Sequence, residues 1–294
     1  MRRRLVPVLL LAALALRPAP ADAWGFVPHR FIMEAAVARL PPALRPFFET
    51  NREFVAQHVI DPDTWRTAGF DEEAPNHFLD FDAAPYGPAP HDALPRDLDR
   101  AVETFGVGVV NTNGRLPWRA AEFSGNLRRA FETRAKSDFG DTAVLEFAAW
   151  LTHYVSDAYV PFHAVTNHDG QLTGQHGIHS RWETQLFERY ASRITVSPAP
   201  LAPVPDVRAL VFATLLESER LAPDVLKADL AAIGTRDAYD DAYFETFFTS
   251  MQPLLQRRLG EAIAGAASVI TAAWEAAGKP SMAAAPRRVQ SRRR

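Results

Sequence analysis

The sequence predicts an all-α protein, a single multi-helix bundle. Apolar residues recur at three- and four-residue spacing in segment after segment, and the alternation that would mark strands is nearly absent. No internal repeat breaks the chain into smaller units, and 47% hydrophobic content in 294 residues supports a substantial core.

In chain order, residues 29–40 and 43–57 carry the first helical patterns, interrupted by Pro41, Pro42 and Pro46. From about 59 to 94 the sequence is rich in Pro, Asp and Gly, and reads as a long irregular segment of the kind usually kept for function. Helical spacing resumes at 96–105, 117–136, 141–160, 178–192, 206–229 and 239–277, with Pro161 expected to end the 141–160 helix. One domain is therefore expected over 24–277, followed by a basic tail, 278–294, expected to be disordered.

The N-terminal end reads as a secretory leader, residues 1–23. Met1 to Arg4 form a basic start, LVPVLLLAALAL an apolar stretch too short to span a bilayer comfortably, and Ala21-Asp22-Ala23 a cleavage signal. Removal would make Trp24 the new N-terminus and send the protein out of the cell or to the periplasm. No later apolar run approaches transmembrane length, and the absence of cysteine leaves stability to the core and to bound metal.

Charge excludes one class of partner. The leader holds four basic residues and one acid, and the last 16 residues hold six basic ones. The body thus keeps 22 of the 32 basic and 34 of the 35 acidic residues, near −12. Such a body does not attract duplex nucleic acid by its field, although bound cations would reverse the potential locally.

The candidate site is a set of histidines and carboxylates. His153 and Asp157 stand four apart in FAAWLTHYVSDAYV and share a helix face; His179 and Glu183 repeat the spacing in HSRWE. Paired helices that turn such residues inward build multi-metal sites in bundles. His163 follows just past Pro161, His77 lies in the irregular segment among Asp61, Asp63, Asp80 and Asp82, and His29 comes five residues after Trp24. His58, His91 and His168 read as ordinary polar partners, His176 as a solvated loop residue, and the doublets His91-Asp92 and His168-Asp169 as coincidence. Imidazole with carboxylate and no thiolate suits zinc in an oxidising compartment, while also accepting manganese or iron. Several such ions close together activate a water and hold phosphoryl oxygens.

These residues in this order resemble the superfamily of bacterial zinc-dependent phospholipase C and the zinc-dependent single-strand nucleases. The shared pattern reads Trp24, His29, Asp63, His77, His153-YVS-Asp157-AYVPF-His163 and His179-SRW-Glu183, spanning residues 24 to 183. The resemblance implies an all-α fold and three zinc ions in a cleft. Asp63, His77 and His153 would hold one, and Asp157 would bridge to a second bound by Trp24 and His29. His163, His179 and Glu183 would hold the third. Trp24 would chelate through its free amino group and carbonyl oxygen, so the leader must leave first. Asp63 is preferred to Asp61 because its fourteen-residue distance to His77 and the Asp63-Thr-Trp-Arg66 run fit the family, and it would also orient the attacking water.

Glu183, the interval from His163 to His179, and the lack of disulfides and of a Gly-Gly-Asn segment resemble the phospholipase branch. The Trp24-Gly-x-x-x-His29 spacing and His77-Phe78-Leu79-Asp80 resemble the nuclease branch, in which Phe78 would stack on a base and Asp80 would hydrogen-bond it. The positions that cage choline in lecithin-cleaving members fall on Val27, Thr64 and Ala74, which offer neither π faces nor negative charge. The expectation is an exported zinc-dependent phosphodiesterase of phospholipase C type acting on phospholipid. The alternatives are a single-strand nuclease or 3′-nucleotidase, and a non-catalytic exported zinc-binding protein.

Overall fold

A computed structural model of the chain describes residues 24–282. The expected leader, 1–23, and the tail from 283 onward lie outside the described residues. Those described form an all-α fold with no strand. Eleven helices follow in order: α1 (Phe26–Arg39), α2 (Arg45–Thr50), α3 (Arg52–His58), α4 (Asp61–Thr67), α5 (Leu98–Phe105), α6 (Val107–Asn113), α7 (Leu116–Thr133), α8 (Gly140–Asp157), α9 (178–190), α10 (Val207–Ile233) and α11 (Asp241–Ala276). None is long and apolar enough to cross a membrane.

Helix α8 is the axis of the bundle. It packs against α1, α3, α7 and α11, and from Leu151 to Asp157 every residue is buried. Helix α11 runs along the same core for 36 residues, about 54 Å at 1.5 Å per residue. Its buried small residues, Gly260, Ala262, Ala264, Gly265, Ala266 and Ala267, let neighbours approach closely. A Cβ on Gly265 would stand 2.6 Å from the Tyr159 hydroxyl, so the loop after α8 rests directly on this helix. Side chains start three of the helices: Asp97, Asp206 and Asp240 accept the backbone N–H of Arg100, Ala209 and Tyr243. Such caps are worth about 1 kcal/mol each.

The stretch expected to be irregular from 59 to 94 is more ordered than its composition suggests. It contains α4 and short 3-10 turns at Asp71–His77 and Ala84–Tyr86. Pro62 sits in the first turn of α4, where a missing N–H costs nothing, and so helps to start the helix. Helix α6 carries no helical signal in the sequence because VGVVNTN is poor in helix formers; Gly106 and Gly114 bound it, and Val110 anchors it in the core. The pattern over 43–57 divides at Asn51 into α2 and α3. Residues 278–282, assigned to the tail by sequence, lie against the body: the Trp274 indole donates to Pro280 O, Arg134 to Ser281 O, and Met282 is buried.

Candidate metal centre

Six elements deliver the site, one of them the short Pro161–His163 turn that carries His163. The last turn of α8 presents His153 and Asp157 on one face, with His153 Nε2 3.4 Å from Asp157 Oδ2. Helix α1 brings His29, whose Nε2 lies 3.3 Å from Asp157 Oδ1. The start of α4 brings Asp63, and the end of the 71–77 turn brings His77. Helix α9 brings His179 and Glu183, 3.0 Å apart from Nε2 to Oε2, and Glu183 sits in a π turn, Arg181–Gln185. Single π turns of this kind concentrate at functional positions.

Three buried groups of donors result: His29, His153 and Asp157; Asp63, His77 and His153; and His163, His179 and Glu183. In each, the donor atoms lie within 4.8 Å of one another. His77 Nδ1 stands 3.1 Å from His153 Nε2 and 3.7 Å from Asp63 Oδ1, while His153 Nε2 is 3.9 Å from Asp63 Oδ1. Two donors on one tetrahedral zinc, each at about 2.0–2.1 Å, stand roughly 3.3 Å apart. The spacings fit a small dication at each group.

Asp61 takes no part. It accepts hydrogen bonds from His58 and from the Trp150 indole at 2.7 and 3.0 Å, while Asp63 is fully buried among the donors. Trp24 is also fully buried. Its indole donates to Ser156 O at 2.8 Å, placing it one residue from Asp157.

The remote nitrogens of three histidines are set by partners. His153 Nδ1–H donates to Val59 O at 2.9 Å, and His163 Nδ1–H donates to His77 O. Ser156 commits its hydroxyl proton to His153 O at 2.9 Å, so its oxygen accepts from His29 Nδ1 at 3.0 Å. Each ring therefore turns an Nε2 lone pair toward the carboxylates. Orientation of this kind is what metal-binding imidazoles require.

Electrostatics point the same way. Burial, then Arg66 and neighbouring histidines, holds His77 well below the ordinary histidine value. Burial and His77 do the same for His153, and burial and His179 for His163. Asp157 is pushed well above the carboxylate range by burial, then by Asp63 and Glu183. It also ends α8, where the helix dipole opposes negative charge. Neutral imidazoles beside crowded, buried carboxylates are unfavourable alone, and a bound dication inverts that balance.

Backbone bonds tie the second and third groups together. Residues 78–81 run beside 163–164, with Leu79 N–H donating to His163 O and Phe81 N–H to Ala164 O. Phe78 is half-buried. Gly114, at φ +96°, packs so tightly on it that a Cβ would stand 2.1 Å from Phe78 O. Asp80 is buried, and burial followed by Asp82 pushes its carboxyl up to about 8.

Sequence reasoning missed several contributors. Ser156 is an ordinary core serine by type. Asp169, set aside as half of a coincidental doublet, accepts the backbone N–H of Gly177 at 3.0 Å and of His179 at 3.4 Å, and so holds the entry to α9. Glu73 closes an acidic run, DEE, and is buried behind His77. The four-residue interval from Glu73 to His77 was the available signal.

No protein-family model matches the chain, and no curated protein matches it. What stands is an all-helical protein with three buried His/Asp/Glu groups that can hold metal ions.

Proposed function

We propose that this chain is an exported zinc-dependent phosphodiesterase of phospholipase C type, acting on phospholipid. The observation that carries the reading is the joining of two donor groups through His153, with Asp157 spanning His29 and His77. Dications held by these groups would supply an activated water and stabilise the charge on phosphoryl and leaving oxygens. Asp63, His77 and His153 would hold one zinc. His29, Asp157 and the amino group of a leader-free Trp24 would hold a second, and His163, His179 and Glu183 a third. Asp63 would also orient the attacking water, and Arg66, whose Nη2 is 3.7 Å from Asp63 Oδ1, adds positive charge beside it.

A second reading, a single-strand nuclease or 3′-nucleotidase, is favoured by one feature. A cavity of about 460 Å³ beside the 71–77 turn is lined by Trp65, Phe70, Asn76, Arg115 and Arg119 with Glu72 and Glu73. Phe70 is 60% exposed. Aromatic faces with guanidinium groups suit a base and its phosphate.

The deciding assay uses mature protein reconstituted with zinc, given liposomes of several head groups and single-stranded DNA and RNA. Lipid turnover is expected, with release of the phosphorylated head group. Hydrolysis of RNA without lipid turnover would overturn the phospholipase reading in favour of the second.

A further inference from the structure

We infer that Glu73 is the positioning residue for His77, fixing the ring so that Nδ1 serves the metal. The inference rests on the zinc reading of the site. His77 differs from its neighbours in the way it faces the donors. His29, His153 and His163 turn Nε2 inward and secure Nδ1 on an oxygen. His77 turns Nδ1 inward, 3.1 Å from both Asp157 Oδ2 and His153 Nε2. A neutral imidazole with its Nδ1 lone pair directed at a metal carries its proton on Nε2. That buried nitrogen has no hydrogen-bond partner, and the carboxylate it faces is Glu73, with Oε1 at 3.8 Å.

Glu73 is itself held from two sides. The Tyr154 hydroxyl donates to Oε1 at 2.5 Å, and Arg119 Nη2 donates to Oε2 at 2.8 Å. Tyr154 follows the ligand His153 on α8, while Arg119 comes from α7 and lies over the rings of Phe123 and Tyr154. The carboxylate is thus fixed relative to the two helices that frame the site, and not to the 71–77 turn alone. A carboxylate behind a ligating imidazole selects the tautomer, aims the ring and raises the basicity of the ligating nitrogen; losing one weakens metal affinity about 10- to 100-fold. A plain ion pair between the turn and α7 would need Arg119 but would have no reason to face Nε2.

The test compares wild type, Glu73→Gln, Glu73→Ala and Arg119→Gln as mature protein. Zinc affinity is measured by competition with a chromogenic chelator. The visible spectrum of the cobalt(II)-substituted protein and the melting temperature of the metal-free protein are recorded alongside. Glu73→Gln, nearly isosteric, is expected to bind one zinc about 10- to 100-fold more weakly. It should also shift the cobalt bands. Arg119→Gln should lower the metal-free melting temperature while changing zinc affinity less than Glu73→Gln does. Wild-type affinity and an unchanged cobalt spectrum in Glu73→Gln would overturn the inference and leave Glu73 a packing pair, even if Glu73→Ala fails to fold. Failure of wild type to bind zinc or cobalt would overturn the metal reading itself, and this inference with it. Normal metal binding without hydrolysis would overturn only the proposed activity.

Discussion

Asp157 Oδ2 and His77 Nδ1 stand 3.1 Å apart although 80 residues separate them in the chain. The contact joins the last turn of α8 to the end of the 71–77 turn, and it forms where a carboxylate is costly without a cation. Asp157 is fully buried, ends its helix, and is pushed up by burial and by Asp63 and Glu183.

Replacing this carboxylate should therefore act with opposite signs on the two forms of the protein. Asp157→Asn removes a donor shared between His29 and His77, so zinc per chain is expected to fall from about three toward one. In chelator the same variant should melt higher than wild type, because the neutral amide relieves the buried repulsion. Atomic emission and paired melting curves with and without chelator read both. A variant that melts lower in chelator would show that the carboxylate is compensated by the protein alone.

Metal removal should expose how much of the fold depends on the site. At a free zinc concentration about 1,000 times Kd, a single ion adds about 4 kcal/mol. For a domain of this size that is on the order of 10 °C in melting temperature. Chelation should lower the transition by this order, and added zinc should restore it in a concentration-dependent way. A transition unmoved by chelator would mean that the groups hold no ion in the folded protein.

How much of this was readable beforehand follows from what each residue depends on. His153 with Asp157 and His179 with Glu183 were legible because helical spacing alone puts each pair on one face. The all-α class was legible for the same reason. Ser156 and Asp169 were not, because their roles come from contacts across 127 and 10 residues to His29 and the His179 amide, and Glu73 shows only its four-residue interval to His77, the Tyr154 bond that fixes it spanning 81 residues. Helix α6 was hidden for a different reason: its sequence prefers other conformations, and packing of Val110 overrides that preference.

Asp80 predicts a pH dependence of its own. Its carboxyl has an ordinary value of 3.8 and is pushed up to about 8 by burial and then by Asp82. Between those values the folded protein keeps a proton that the unfolded chain releases. Stability contributed by this group is therefore complete below about 3.8 and falls as pH rises toward 8. Asp80→Asn should melt with wild type at low pH and progressively above it as pH approaches 8, both measured in chelator. Parallel curves across the range would exclude a buried, protonated Asp80.

Asp229 predicts a link between the core and the third donor group. It is fully buried and accepts from Arg181 Nη2 at 3.1 Å, Arg181 Nε at 3.2 Å, Gln175 at 2.7 Å and the Tyr243 hydroxyl. Arg181 stands between His179 and Glu183 in α9, and its guanidinium also holds the carbonyls of Gln175 and His176. Asp229→Ala leaves that guanidinium buried without its counter-charge, which costs about 3–5 kcal/mol. The damage should be local as well as global. The π turn carrying Glu183 loses its tether to α10, while Asp63, His77 and His153 keep theirs. Urea denaturation in chelator should show the loss of stability, and zinc titration should show one weakened ion beside two of near wild-type affinity. Equal weakening of all three would mean that the groups respond to the bundle as a whole, and that Arg181 does not set the third one by itself.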